Sequence, residues 1–137
     1  MSKSRTSKRD LYYTNRHDWI DFQGSVAYIG ACLLKLNKLP EVRELQFTGN
    51  SGFAKAGEVV LRIECADSSI PIHMPVDGKI ISINEVLLEG NHKLLIDQPE
   101  NNGWVALIVP SKPYERNGLM QPEQYKQFVK QQPGNAL

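Results

Sequence analysis

The feature that most constrains this chain is a series of short apolar runs, each closed by glycine, proline or another turn-forming residue. Alternating or β-branched residues dominate these runs, which is typical of strands. The predicted strands span residues 18–22, 25–30, 44–48, 58–64, 70–74, 79–84 and 104–109. The sequence between them has neither a long crossover helix nor a phosphate-binding glycine loop. The pattern therefore predicts a small antiparallel sandwich or barrel, with helices only as caps.

Short helices are predicted beside these strands. A leucine-rich segment over residues 31–39 predicts a helix that Pro40 ends. The segment 121–129 predicts a second helix, because a proline near the first turn favours initiation. Residues 92–96 are either helical or extended. The apolar face with which the second helix should dock on the sheet is formed by Tyr125, Phe128 and Val129.

Size and charge limit the functional classes. A chain of 137 residues suits one domain. We predict that domain over residues 12–130, between a disordered basic tail at 1–11 and a flexible tail at 131–137. The net charge of +1 lacks the basic excess of a nucleic-acid binder, and no apolar run approaches the ~20 residues of a membrane span. The N-terminus lacks the apolar region of a secretory signal, so we expect a cytoplasmic protein.

The reactive side chains do not form a recognisable catalytic set. Cys32 and Cys65 belong to no CxxC pair, and we expect two buried, reduced thiols. The sequence places none of His17, His73 and His92 beside a thiol. No two ligand-type residues lie at zinc-site spacing. We therefore predict neither an enzyme nor a metal site.

A series of short motifs, in a fixed order, resembles one known family. The motifs are Tyr13-Thr14, His17-Asp18-Trp19, Gly30, Lys55-Ala56-Gly57-Glu58, Pro75-Val76-Asp77-Gly78, Asn84-Glu85, Gly103-Trp104 and Gln124-Tyr125. At this spacing the chain resembles the H protein of the glycine cleavage system, over roughly residues 12–130. The resemblance implies a mainly β fold: a lipoyl-domain-like barrel-sandwich hybrid of short antiparallel strands, with a short helix in the N-terminal half and a C-terminal helix.

The resemblance also implies a cofactor, lipoate, for which this sequence lacks the attachment residue. In the family, lipoate is joined by an amide bond to a lysine at a hairpin tip, and the arm carries an aminomethyl group between enzymes. The family's Glu-Ser-Val-Lys corresponds here to Glu64-Cys65-Ala66-Asp67, eight positions before the Pro-Val-x-Gly turn. Asp67 has no amine, so we expect no lipoate there and no other cofactor. The residues that flank it are Glu64, Cys65, Ala66 and Ser68.

Other departures from the family pattern point the same way. Lys55 lies upstream of the strand that leads to the tip, and Lys79 lies past the return turn, so neither is expected to replace the missing lysine. The family's Leu-Gly-Asp is Leu39-Pro40-Glu41 here, and its Thr-Asp-Tyr-Ala is replaced by Cys32-Leu33-Leu34-Lys35. In the family these surfaces accommodate partner enzymes and the arm, so their change fits loss of the carrier role.

Three functions remain open at this point. The first is a monomeric, non-lipoylated module that binds or regulates a protein partner, with the glycine decarboxylase, the aminomethyltransferase and dihydrolipoyl dehydrogenase as candidates. The second is a genuine lipoyl carrier with an atypical attachment, and the third is an independent enzyme. Against the third, His73 suits a structural role, and Glu64 and Asp67 suit solvated or capping roles better than acid–base catalysis.

Alternation and aromatic content also predict a core. Truncation of Trp104 to alanine is expected to cost ~3–5 kcal/mol, as for other large core aromatics. The side chains expected to be largely buried are Trp19, Ile29, Val60, Ile63, Val76, Ile81, Ile83, Trp104 and Leu107.

Overall fold

The computed structural model describes residues 9–36, 41–48 and 52–131. Nine strands and four helices lie within these ranges. The strands are β1 (Leu11–Tyr13), β2 (Asp18–Gln23), β3 (Val26–Ala31), β4 (Val42–Phe47), β5 (Gly52–Ala54), β6 (Val59–Cys65), β7 (Ser69–His73), β8 (Gly78–Ile83) and β9 (Ala106–Pro110). The helices are α1 (Leu33–Leu36), α2 (Glu85–Leu88), α3 (His92–Asp97) and α4 (Pro122–Gln131).

The strands form two antiparallel sheets around one main core. The larger sheet has the order β1-β2-β3-β9-β8-β5, and the smaller has the order β4-β6-β7. Apolar side chains from both sheets meet between them, including Ile20, Ile29 and Ile108 from the larger sheet and Leu61 and Ile63 from the smaller. The predicted class, mainly β with short antiparallel strands and few helices, is confirmed. No helix in the described ranges is long and apolar enough to cross a membrane.

The structure confirms each of the seven predicted strands, with ends that shift by up to two residues. It adds β1, β5 and α2, which were not predicted, and it makes the ambiguous segment at 92–96 a helix. Helix α1 begins at Leu33, two residues later than predicted, and the predicted helical residues 37–39 and the expected stop at Pro40 lie outside the described residues. The predicted tail at 1–11 overlaps β1, because Leu11 pairs with Asp21; the tail predictions for 1–8 and 132–137 also lie outside the described residues.

The predicted core is correct in part. Trp19, Ile29, Val60 and Ile63 are fully buried. The prediction for Ile81 is wrong, since its side chain is 42% exposed. Consecutive strand residues point to opposite faces, and the neighbouring Ile80 takes the inward position. The remaining predicted core residues are only half-buried: Val76, Ile83, Trp104 and Leu107.

Trp19 explains why a glycine is required in the neighbouring strand. Its side chain is fully buried, and its indole N–H donates to the carbonyl of Pro99 at 2.9 Å. Gly30 is directly opposite Trp19 in the β2–β3 pair. A Cβ atom at Gly30 would lie 2.8 Å from the Trp19 ring, closer than van der Waals contact allows. The small residue therefore makes room for the large one.

The outer edge of β7 is closed by side chains. Pro71 has no backbone N–H, and its carbonyl accepts a hydrogen bond from Nζ of Lys35 at 2.8 Å. The backbone N–H of His73 donates to Oδ2 of Asp18 at 3.1 Å. Strand β7 is thus an edge strand, and the Pro71 carbonyl and the His73 N–H on its outer side are already hydrogen-bonded.

Candidate functional site

The hairpin formed by β6 and β7 presents the candidate site at its tip. Glu64 opposite Ser69 is the last strand pair, and the backbone N–H of Cys65 donates to the carbonyl of Ser68 at 2.8 Å to close the turn. Ala66, Asp67 and Ser68 are exposed beyond this bond. Asp67 makes no hydrogen bond or ion pair with any residue that the structure describes. The carboxylate therefore projects into solvent at the end of the hairpin.

The residues that flank the turn belong to the frame of the hairpin. Cys65 is 7% exposed and packs in the core, so its thiol is not presented with Asp67. Glu64 is half-buried, and its Oε2 accepts a hydrogen bond from the Ser69 hydroxyl at 3.3 Å. A carboxylate held in this way supports the turn. Nothing in the arrangement places a nucleophile or a second acid beside Asp67 within the described part of the chain.

A buried ion-pair cluster fixes the hairpin to the rest of the fold. Asp18, on β2, is 1% exposed, and its Oδ1 lies 2.6 Å from Nζ of Lys35 on α1. Its Oδ2 lies 3.4 Å from Nδ1 of His73 and also accepts the His73 backbone N–H. The cluster joins β2, α1 and β7. His73 consequently has the contacts of a structural histidine, and Lys35 is committed to Asp18.

The two lysines considered as substitutes lie at the other end of the hairpin. Gly57, two residues after Lys55, donates its N–H to the carbonyl of Met74 at 2.8 Å, which fixes this loop at the base of the hairpin. Lys79 follows the return turn and pairs with Phe53. Strand β6 has seven residues, so roughly 20 Å separates these lysines from the tip. Neither lysine shares the turn that presents Asp67.

A second polar cluster, which the sequence did not predict, lies under α4. The Tyr125 hydroxyl lies 2.8 Å from Nδ1 of His17 and hydrogen bonds with the Cys32 thiol. The Tyr125 ring stacks on Tyr13 with centroids 4.4 Å apart. Burial raises the pKa of the Cys32 thiol far above its ordinary value, with the nearby Glu100 carboxylate as a second cause. A thiol held in its protonated form is a poor nucleophile, so the cluster suits docking of α4 rather than catalysis.

No group of three or more potential ligands that could hold a metal ion occurs among residues 9–36, 41–48 and 52–131. In the same ranges no cysteine, histidine and carboxylate are arranged as an activated nucleophile. The exposed parts of the site are surfaces and a turn. Such an arrangement can present a residue or bind a macromolecule.

Two antiparallel sheets with a protruding, anchored hairpin define the class of lipoyl-domain-like proteins. The family model described as "Glycine cleavage H-protein" matches residues 11–132. The chain belongs to this family. Its members are carrier proteins, not enzymes, and they work with the enzymes of glycine cleavage. The resemblance seen in the ordered motifs is thereby confirmed.

Individual relatives agree with this assignment. A protein of Aeropyrum pernix named "Probable glycine cleavage system H protein" is 29% identical over 123 residues, which cover 90% of this chain and 85% of the relative. The glycine cleavage system H protein of Bacteroides fragilis is 29% identical over 121 residues, or 88% of this chain and 95% of that protein. The crystal structure of an H protein from Mycobacterium marinum has the same fold, with a TM-score of 0.73 at 19% identity, over 90% of this chain and 99% of that one.

Proposed function

We propose that this protein is a non-lipoylated, H-protein-like module that acts by binding a protein partner, in a regulatory or structural role. The observation that carries the proposal is the exposed carboxylate of Asp67 at the tip of the β6–β7 hairpin. The hairpin is formed and anchored, yet its tip carries the wrong functional group for the family's cofactor. A module that keeps the fold of a carrier but lacks the lipoyl arm can still bind other proteins through its surface.

The chemistry of attachment supports this reading. Lipoate is itself a carboxylic acid, and it forms an amide by reaction with a primary amine. Asp67 supplies a second carboxylate, so no amide bond can form there. Lys55 and Lys79 lie at the far end of the hairpin, and Lys35 is paired with the buried Asp18. These three lysines are therefore poorly presented to a ligase that modifies a hairpin tip.

The candidate partners follow from the family. The decarboxylase, the aminomethyltransferase and dihydrolipoyl dehydrogenase of glycine cleavage each receive an H protein. A module with the fold of an H protein but no lipoyl arm would occupy such a docking surface and deliver no aminomethyl group. The proposal sets this protein in the cytoplasm beside those enzymes, as a competitor or an organising subunit.

The first test is the intact mass of the protein purified from its native cells. We expect the mass of the unmodified chain, and no carrier activity when the protein replaces the H protein in a reconstituted glycine cleavage assay. A glycine cleavage H protein with its lipoyl-lysine is the positive control. Lipoate on any lysine, together with activity in that assay, would overturn the proposal in favour of a carrier with an atypical attachment.

The second test restores the amine. Asp67→Lys should gain the mass of one lipoyl group when incubated with a lipoate ligase, because the turn that presents position 67 is formed. Asp67→Asn is the matched control and should stay unmodified. A ligase that ignores Asp67→Lys would show that the surface around residues 31–44 has changed as well, beyond the loss of one side chain.

A further inference from the structure

The outer face of the larger sheet carries a row of exposed apolar side chains. Directly paired residues in antiparallel strands share a face. Phe53 on β5 is opposite Lys79 on β8, which is opposite Val109 on β9. Phe53 is 62% exposed and Val109 is 37% exposed, and Ile81 beside them on β8 is 42% exposed. Three neighbouring strands therefore present exposed apolar side chains on both sides of Lys79.

The apolar surface continues across the sheet toward β3. Leu107, two residues before Val109 on β9, is opposite Tyr28 on β3, and both are half-buried. The Trp104 ring packs edge-on against Tyr28, with centroids 5.0 Å apart. On β8, Leu107 is opposite the exposed Ser82, so the face from β3 to the edge strand β5 has apolar side chains with Lys79 and Ser82 between them. We name it the outer sheet face, formed by Tyr28, Phe53, Lys79, Ile81, Leu107 and Val109.

This sequence pattern is that of strands covered on both faces. An antiparallel sheet with one solvated face alternates apolar and polar residues. Strand β9 instead has an unbroken apolar run at 105–109, and β8 has the pair Ile80-Ile81 between the exposed Lys79 and Ser82. Ile80, Val105 and Ile108 fill the core, whereas Ile81 and Val109 point outward and stay exposed in the described part of the chain. A second molecule bound to this face would bury the exposed side chains of Ile81 and Val109.

The positive charge of Lys79 at the centre of this face limits which kind of molecule can bind there. Lys79 lies between Phe53 and Val109, and it has no ion-pair partner in the described ranges. A two-fold axis through the face would bring the Lys79 ammonium groups of two identical chains together, which is unfavourable in a closed interface. A different protein with a carboxylate at this point would pair with Lys79. The charge therefore argues for a partner rather than a second copy.

We propose that the outer sheet face is the docking surface for a partner protein that presents apolar side chains around an aspartate or glutamate opposite Lys79. The inference rests on the proposed function and adds to it the surface that binds. It separates that surface from the hairpin tip, because β8 and β5 lie at the end of the hairpin away from Asp67.

Site-specific photo-crosslinking in the native cells tests the assignment. Benzoylphenylalanine is placed at Phe53 on the face, at Ser68 on the tip, and at the exposed Gln127 on α4 as a control. We expect position 53 to give one discrete adduct with another protein, and its crosslinked partner peptide to contain apolar residues and a carboxylate. Lys79→Glu should reduce the yield about tenfold or more, whereas Lys130→Glu, a matched reversal of an exposed lysine on α4, should leave it unchanged.

Each other outcome overturns the inference in a recognisable way. An adduct from position 68 alone leaves the proposed function standing and moves the interface to the tip. An adduct of twice the chain mass identifies a second copy, and a crosslink within one chain identifies an internal cover. An adduct that survives Lys79→Glu, or no adduct at position 53, removes the docking surface. Lipoate on the purified protein would instead overturn the proposed function.

Discussion

At the scale of single residues, Asp18 connects three elements of the fold, β2, α1 and β7. Its two carboxylate oxygens contact Lys35 on α1 and His73 on β7, and the Lys35 side chain is only 10% exposed. A buried ion pair contributes little when it is exchanged for apolar packing, but removal of one partner leaves the other charge without compensation. The geometry of the hairpin therefore depends on a residue far from its tip.

Asp18→Asn should lower the free energy of unfolding by about 3 kcal/mol, the lower end of the range for a broken buried pair, because Lys35 keeps a slight exposure. Urea unfolding measures the change. Asp97→Asn is the matched control: its partner Lys93 is 82% exposed, so the loss should be about 0.5 kcal/mol or less. Equal losses in the two variants would contradict the structural role given to Asp18.

The two tryptophans offer a second test at this scale. Trp19→Ala should cost ~3–5 kcal/mol, because the side chain is fully buried and its removal also leaves the Pro99 carbonyl without its donor. Trp104→Ala should cost clearly less than the sequence alone led us to expect, since Trp104 is half-buried against Tyr28. Urea unfolding of both variants gives the order, and a larger loss for Trp104→Ala would refute it.

At the scale of elements, α4 is held in an unusual way for an amphipathic helix. None of its side chains is fully buried. Tyr125 provides its anchor, through the stack on Tyr13 and the hydrogen bonds to His17 and Cys32. The sequence predicted the helix and its face correctly, but it could not show that one hydroxyl group would join three segments distant in the chain.

This anchor predicts a loss of stability in alkali. Burial raises the pKa of the Cys32 thiol and of the Tyr125 and Tyr13 hydroxyls. Above the ordinary cysteine value of 9.0 and tyrosine value of 10.0, the unfolded chain releases protons that the folded chain still holds. The stability that is fully present below about pH 9 should therefore fall as pH rises, by at most about 1.4 kcal/mol per pH unit for Cys32.

Urea midpoints between pH 7 and 11 measure this dependence. Cys32→Ala should make the alkaline decline shallower, because it removes the group that begins to titrate first. Tyr114→Phe, at a tyrosine that is 74% exposed, serves as the control and should leave the profile unchanged. An alkaline profile identical in Cys32→Ala and the unaltered protein would show that the thiol does not contribute.

At the scale of the whole molecule, local pattern predicted the long strands well and left the pairing of most strands open. Alternation between apolar and polar residues identified the long strands, whereas β1 and β5 have three residues each, too few for a period to show. Helix α2 was missed although Asn84 caps it, because four residues leave no helical repeat to recognise. Ile81 was misassigned because two adjacent isoleucines do not reveal which one faces inward.

The candidate site was predictable only where a motif marked it. The spacing from Asp67 to the Pro75-Val76 turn located the tip, and the structure indeed has a turn there. The contacts of Asp18 with Lys35 and His73 join residues 17 and 55 positions apart, and no local pattern encodes such distances. The outer sheet face likewise depends on strand order, which the sequence left open.

The same face bears on the state of the free protein. Because Lys79 stands at its centre, we expect the isolated chain to remain a single copy in solution, in spite of the exposed apolar row. Light scattering coupled to size-exclusion chromatography measures the mass directly. Lys79→Leu is the informative variant, since loss of the charge should promote self-association. A stable dimer of the unaltered protein would contradict this expectation.

Because the β6–β7 hairpin is anchored at its base, its tip should tolerate insertions. Among the described residues, the only hydrogen bond of Ala66, Asp67 and Ser68 is the one that the Ser68 carbonyl accepts from the Cys65 N–H. A foreign peptide inserted after Asp67 would therefore be displayed like an epitope on a rigid stalk, since each doubling of loop length costs only ~0.6 kcal/mol. A six-residue Gly/Ser insertion should leave the thermal transition cooperative by circular dichroism, and a collapse of that transition would show that the tip supports the fold.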